Sequence, residues 1–176
     1  MALVIEDGTG KADSTSYISV EEFRAYAQAR GDDLPVDDED CEALLVQAMD
    51  YLEQYTLDVG SPGQYKGTKF LTSQALQWPR AGAVIDGALF PSNQIPKQLK
   101  NAQAQLGIEA TSFPLMPSNN GYSVAKEKVD VLEVEYATGG RLSGSTRDPK
   151  PVMPKVDAFL RPLLVAAGPT LRTKRI

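Results

Sequence analysis

The stretch 38-DEDCEALLVQAMDYLEQYTL-57 decides the fold class. Its apolar residues fall at Cys41, Leu44, Leu45, Ala48, Leu52 and Tyr55. Intervals of three and four collect them on one face of a helix. Asp37, Asp38, Glu39 and Asp40 stand at its start, where the positive end of the helix dipole favours carboxylates. Nothing in the segment points to catalysis. It reads as a core helix over 39–57 on which the rest of the chain packs.

Three further helices are expected around it. Ser19-Val-Glu-Glu22 is a capping box, in which the serine hydroxyl accepts from the third helical N–H and Glu22 reaches back. It opens a helix over 19–30 with Val20, Phe23, Tyr26 and Ala27 inward, and Gly31 ends it. Ile95-Pro96 opens a helix over 96–112, with Pro96 at the first position and Leu99, Ala102, Leu106, Ala110 and Phe113 as its stripe. Gly107 inside that helix costs about 1 kcal/mol relative to alanine, so close backbone packing is expected there. Met153-Pro154 opens the last helix, 154–165, with Val156, Phe159, Leu160, Leu163 and Leu164 inward, and Pro162 should bend or end it.

Strand signals are few. Ala83-Val-Ile-Asp-Gly-Ala-Leu-Phe90 is two apolar triplets around Asp86-Gly87, a hairpin with a type I′ turn. In Tyr122–Ala137, Leu132, Val134 and Tyr136 alternate with Glu133 and Glu135, a strand or hairpin arm with one wet face. Ser73–Gln77 reads as a short helical turn leading to Trp78-Pro79-Arg80. Trp78, the single tryptophan, is expected to plug the core with its N–H on a backbone carbonyl. The sharper reading is a stacking platform for a nucleic-acid base, which requires several aromatics in a basic groove. The expected fold is mainly α: a small bundle of about four helices in one domain over 1–167, with a β-arm near 122–137 and a C-terminal tail at 168–176.

The chain of 176 residues carries one cysteine and no histidine. No internal disulfide can form, and a Ser–His–Asp triad, a Cys–His pair and an imidazole zinc site are excluded. Cys41 falls on the apolar face, where a free thiol acts as a small hydrophobe. Gly8-Thr-Gly-Lys11 resembles part of a phosphate loop, yet Ile5 stands where the first glycine belongs and Ala12 where Ser or Thr belongs. Asp32–Asp40 lacks the glycine of a calcium-binding loop. The N-terminus carries acids where a signal peptide needs bases, and no run approaches the ~20 apolar residues of a membrane span. A protein that stays in the cytoplasm is expected, with no cofactor, no metal and no enzymatic activity. The net charge is −5, divided as −12 over residues 1–60 and +7 over 61–176. That division suits head-to-tail contacts between copies, and equally suits ordinary solvated faces.

Several segments in a fixed order resemble a known family. They are Ser16-Tyr-Ile-Ser19, Glu42-Ala-Leu-Leu-Val-Gln-Ala-Met-Asp-Tyr51, Gln74-Ala-Leu-Gln-Trp-Pro-Arg80, Ile95-Pro-Lys-Gln-Leu-Lys-Asn-Ala102, the strand Lys128–Tyr136 and Leu160-Arg-Pro-Leu-Leu164. The order is similar to that of tailed-phage head–tail adaptor (connector) proteins, some of which carry the label DnaT-like single-stranded-DNA-binding. The adaptor resemblance implies a helical bundle with a β-arm. It implies a twelve-fold homo-oligomeric ring between the portal protein and the next tail component, with DNA passing through its channel. The location implied is the head–tail junction of the virion, after assembly in the host cytoplasm. In related adaptors the C-terminal arm docks on the portal. Here the tail beyond Gly168-Pro169 offers Leu171, Arg172, Lys174, Arg175 and Ile176 for that contact. Such a segment has too few apolar residues to bury itself and can order on a partner. The DnaT-like label implies the alternative, single-stranded DNA binding.

Overall fold

A computed structural model describes residues 3–54, 65–116, 126–129, 132–135 and 153–165. Four helices form where the periodicity places them: α1 (Val20–Gln28), α2 (Asp38–Gln54), α3 (Lys97–Ala110) and α4 (Pro154–Leu160). The chain divides into two compact units, one of Met1–Leu115 with Met153–Ile176 and one of Met116–Val152.

In the larger unit α3 packs against both α2 and α4, and α1 packs on α2 and α3. The buried face of α2 is Cys41, Leu45, Ala48, Met49 and Leu52. Leu44 is only partly buried, and Tyr55 lies outside the described residues. The main core gathers Leu52, Trp78, Leu99, Leu106, Val156, Leu160 and Leu163. A smaller cluster holds Ile18, Phe23, Cys41, Leu45 and Ala104.

The local signals act as their chemistry dictates. At α1, Glu22 N–H donates to Ser19 Oγ and Ser19 N–H donates to Glu22 Oε2, both at 3.1 Å. Past Gln28 the chain closes as a Schellman motif: Asp32 N–H donates to Ala27 O at 3.1 Å and Gly31 N–H to Gln28 O at 3.2 Å. Pro96 caps α3 from outside in an extended conformation, so the helix starts one residue later than expected. Pro162 ends α4, and the chain tightens into a 3₁₀ turn over Arg161–Leu163. Proline lacks the N–H that an α-helix would need there.

The β content exceeds the expectation. Among the described residues three two-stranded antiparallel pairs form. The first joins β1 (Thr68–Lys69) to β2 (Arg80–Ala81) and has no alternating pattern to announce it. The second joins β3 (Val84–Ile85) to β4 (Ala88–Leu89). Asp86 and Gly87 link these two strands at φ of 51° and 82°, as a type I′ turn requires. The third, in the smaller unit, joins β5 (Lys126–Val129) to β6 (Leu132–Glu135), pairing Lys128 with Glu133. The arm expected at 122–137 is thus a hairpin. The helical turn expected at Ser73–Gln77 does not form. The Gln74 amide supplies the polar contacts instead, accepting from Leu71 N–H and donating to the carbonyls of Leu76 and Pro79.

Candidate functional site

Trp78 is the hub of the larger unit. It is 0% exposed, and its ring meets Tyr65 and Phe90 edge-on at centroid distances of 6.3 and 5.8 Å. The peptide bond to Pro79 is cis. The expectation of a core tryptophan holds; the expected hydrogen bond does not. Trp78 Nε1–H finds no acceptor among the described residues. Its backbone N–H donates to Tyr17 Oη at 3.1 Å. The Tyr17 hydroxyl lies 3.4 Å from Glu53 Oε1, which also accepts Gln77 N–H at 2.9 Å. Glu53 thus ties the end of α2 to the segment entering Trp78. Burial pushes the Glu53 carboxyl above its ordinary value, against the Gln77 N–H that lowers it. Burial pushes the Tyr17 hydroxyl far up, so it remains a neutral donor.

Five cations of this unit, Lys11, Arg24, Arg30, Arg80 and Lys100, are engaged within it. Arg80 donates to Lys66 O at 2.9 Å and Gly67 O at 2.7 Å, closing β1 against β2. Arg24 donates to Pro35 O at 2.9 Å, Val36 O at 2.6 Å and Asp38 Oδ1 at 2.9 Å. Lys11 pairs with Asp7 and Lys100 with Glu22, each at 3.0 Å. The Arg30 guanidinium lies 3.4 Å from the centre of the Tyr26 ring.

The segment 8-GTGK-11 resembles an anion loop because it is one, with its anion supplied by the chain. Glu6 is buried, and its carboxylate accepts Gly8 N–H (2.9 Å), Gly10 N–H (2.9 Å), Lys11 N–H (2.8 Å) and Ser14 Oγ–H (3.2 Å). Successive N–H groups make such a concavity. The rejection of a phosphate loop stands on firmer ground: the cradle is filled from within. Sequence reasoning missed Glu6, because it is one of two adjacent acids, Glu6 and Asp7, and nothing in the sequence says which of them turns inward. It missed Gln103 as well. This buried amide on α3 accepts Tyr17 N–H at 2.9 Å and donates to Ser16 Oγ at 2.8 Å and Leu45 O at 3.3 Å.

Two surface features remain. Val36, at the tip of the α1–α2 loop, is 91% exposed. On the β3–β4 pair, Val84 and Leu89 face each other across the strands and are 46% and 72% exposed. Among the described residues Phe70 is the one aromatic in the exposed large apolar set. No cluster of metal-ligating side chains occurs among the described residues, and none of their helices is long and apolar enough to cross a membrane. The docking residues expected in the tail, Leu171, Arg172, Lys174, Arg175 and Ile176, lie outside the described residues.

A protein-family model described as "Putative DnaT-like ssDNA binding protein" matches residues 1–176. No curated protein and no solved structure matches.

Proposed function

The chain belongs to that DnaT-like family; on the burial and charge of its own residues we propose that it is a structural head-to-tail adaptor. In this reading copies assemble as a ring between portal and tail and enclose a passage for DNA. The observation that carries it is the burial of Trp78. A surface that binds single strands combines a positive groove with exposed stacking aromatics. Here the tryptophan is core, and Arg24, Arg80, Lys11 and Lys100 bond to the protein's own groups. With a net charge of −5, such a chain suits a conduit past which DNA slides, since phosphate contacts are what hold DNA to a surface. The order of sequence motifs supports the same reading.

The second reading is single-stranded DNA binding, and the family's description favours it over the adaptor. One pair of measurements separates the two. Fluorescence anisotropy with a labelled single-stranded oligonucleotide should give no tight binding at physiological salt. Sub-micromolar affinity falling steeply with salt would establish the DNA-binding reading instead. Co-purification with the portal protein should succeed with the full chain and fail when residues 169–176 are deleted. If the truncated chain is retained as well as the full one, the tail is not the docking arm.

A further inference from the structure

Of the exposed large apolar residues described, Val36 and Leu89 are the most exposed, and their segments are fixed to opposite ends of one helix. The α1–α2 loop is fixed to the start of α2, where Arg24 bonds the Pro35 and Val36 carbonyls and the Asp38 carboxylate. The β1–β4 region is fixed to the other end of α2, where Glu53 accepts Gln77 N–H. Seventeen residues of helix separate them, roughly 25 Å at 1.5 Å per residue. Val36 therefore cannot reach Val84 and Leu89 of its own copy.

The ends also differ in charge. Around Val36 the exposed acids are Asp33, Asp37, Asp38, Glu39 and Asp40. At the β end stand Lys66 and the exposed Lys69, with Arg161 close by because Lys66 N–H donates to Leu163 O. Asp86 is the exposed acid of the β3–β4 turn. An apolar knob ringed by acids matches an apolar strand pair that has the basic segment 66–69 beside it, where Gly67 lies against Ala83. Two acidic loops repel each other, as do two basic faces, so a symmetric pairing of like ends is disfavoured.

We propose that the β3–β4 face of one copy receives the Val36 loop of a second copy, head to tail. The proposal rests on the structural reading above and supplies its contact between copies. The Arg24 hydrogen bonds hold the loop in one conformation before contact, which lowers the ordering cost of association. Because the two surfaces are different, each copy keeps one free end. Repetition gives a ring when the rotation closes and a filament when it does not.

Cysteine cross-linking tests the contact. Val36→Cys and Leu89→Cys are made as separate proteins, mixed, and treated with a short bismaleimide. Both positions are on the surface, so both variants should melt like the parent protein. Cys41 is 0% exposed, and the parent protein measures any background from it. The expected result is a covalent dimer in the mixture and none from either variant alone, with the yield falling as salt screens the flanking charges. In sedimentation, Leu89→Asp should weaken self-association by about tenfold or more, as loss of a central apolar contact does. A mixture that gives no dimer, or Val36→Cys linking to itself as readily as to Leu89→Cys, overturns the contact. Portal co-purification is scored separately. Portal binding without the cross-link would refute this contact and leave the adaptor reading; the cross-link without portal binding would do the reverse.

Discussion

Gly107→Ala sets two opposing effects against each other in α3. Alanine is favoured over glycine in a helix interior by about 1 kcal/mol. A Cβ at Gly107, however, would lie 2.7 Å from Phe23 Cζ and 3.0 Å from Cε2. Carbon atoms pack best at about 3.5–4.0 Å, so the ring would have to retreat by about 1 Å. Phe23 is 0% exposed and is held in the cluster of Ile18, Cys41, Leu45 and Ala104, which leaves the ring nowhere to go. Overpacking of this kind costs about 1–3 kcal/mol. The expected net effect is a loss of up to about 2 kcal/mol, read as a lower midpoint in urea with an unchanged slope. Phe23→Leu removes the ring edge. In that background the alanine should turn neutral or stabilising, giving a coupling of about 1–2 kcal/mol in a double-mutant cycle. If Gly107→Ala raises the midpoint with Phe23 in place, the contact is not tight and the reasoning fails.

Three further outcomes are expected. Trp78→Ala should cost about 3–5 kcal/mol, as truncating a buried aromatic does; an unchanged melting temperature would place the side chain at the surface. Glu6→Gln swaps one carboxylate oxygen for an NH₂ facing two donors, and should cost about 2–4 kcal/mol. Faster amide exchange at Gly8, Gly10 and Lys11 should accompany that loss, and parental stability would show that the cradle does not need the charge. Glu53 has its pKa raised from 4.5, chiefly by burial. Its contribution is therefore fully present below pH 4.5 and is lost as pH rises through the higher folded value. Relative to Glu53→Gln, the parent protein should lose stability as pH is raised from about 4 towards neutrality, and parallel melting curves across that range would count against it.

The sequence by itself determined what depends on near neighbours. The three-and-four spacing from Cys41 to Leu52 makes α2, and Ser19 with Glu22 caps α1 through groups three residues apart. Asp86-Gly87 turns β3 into β4, and Pro162 stops α4. Each signal works through a backbone conformation or hydrogen bond that the local residues supply, so it can be read without knowing the fold. Tertiary structure decided which distant groups meet. Gln103 became core because Tyr17 and Ser16, more than eighty positions earlier, present their polar groups to it. The β1–β2 pair exists because Arg80 binds the carbonyls of Lys66 and Gly67, and nothing in its two-residue strands announces it. Trp78 is core because distant Tyr65 and Phe90 pack against its ring, and no acceptor for its Nε1–H stands among the described residues. The separation of Val36 from Leu89 along α2 likewise became visible only with the packing. A polar or exposed side chain has no periodicity of its own, and its partner is fixed only when packing sets the distance between segments.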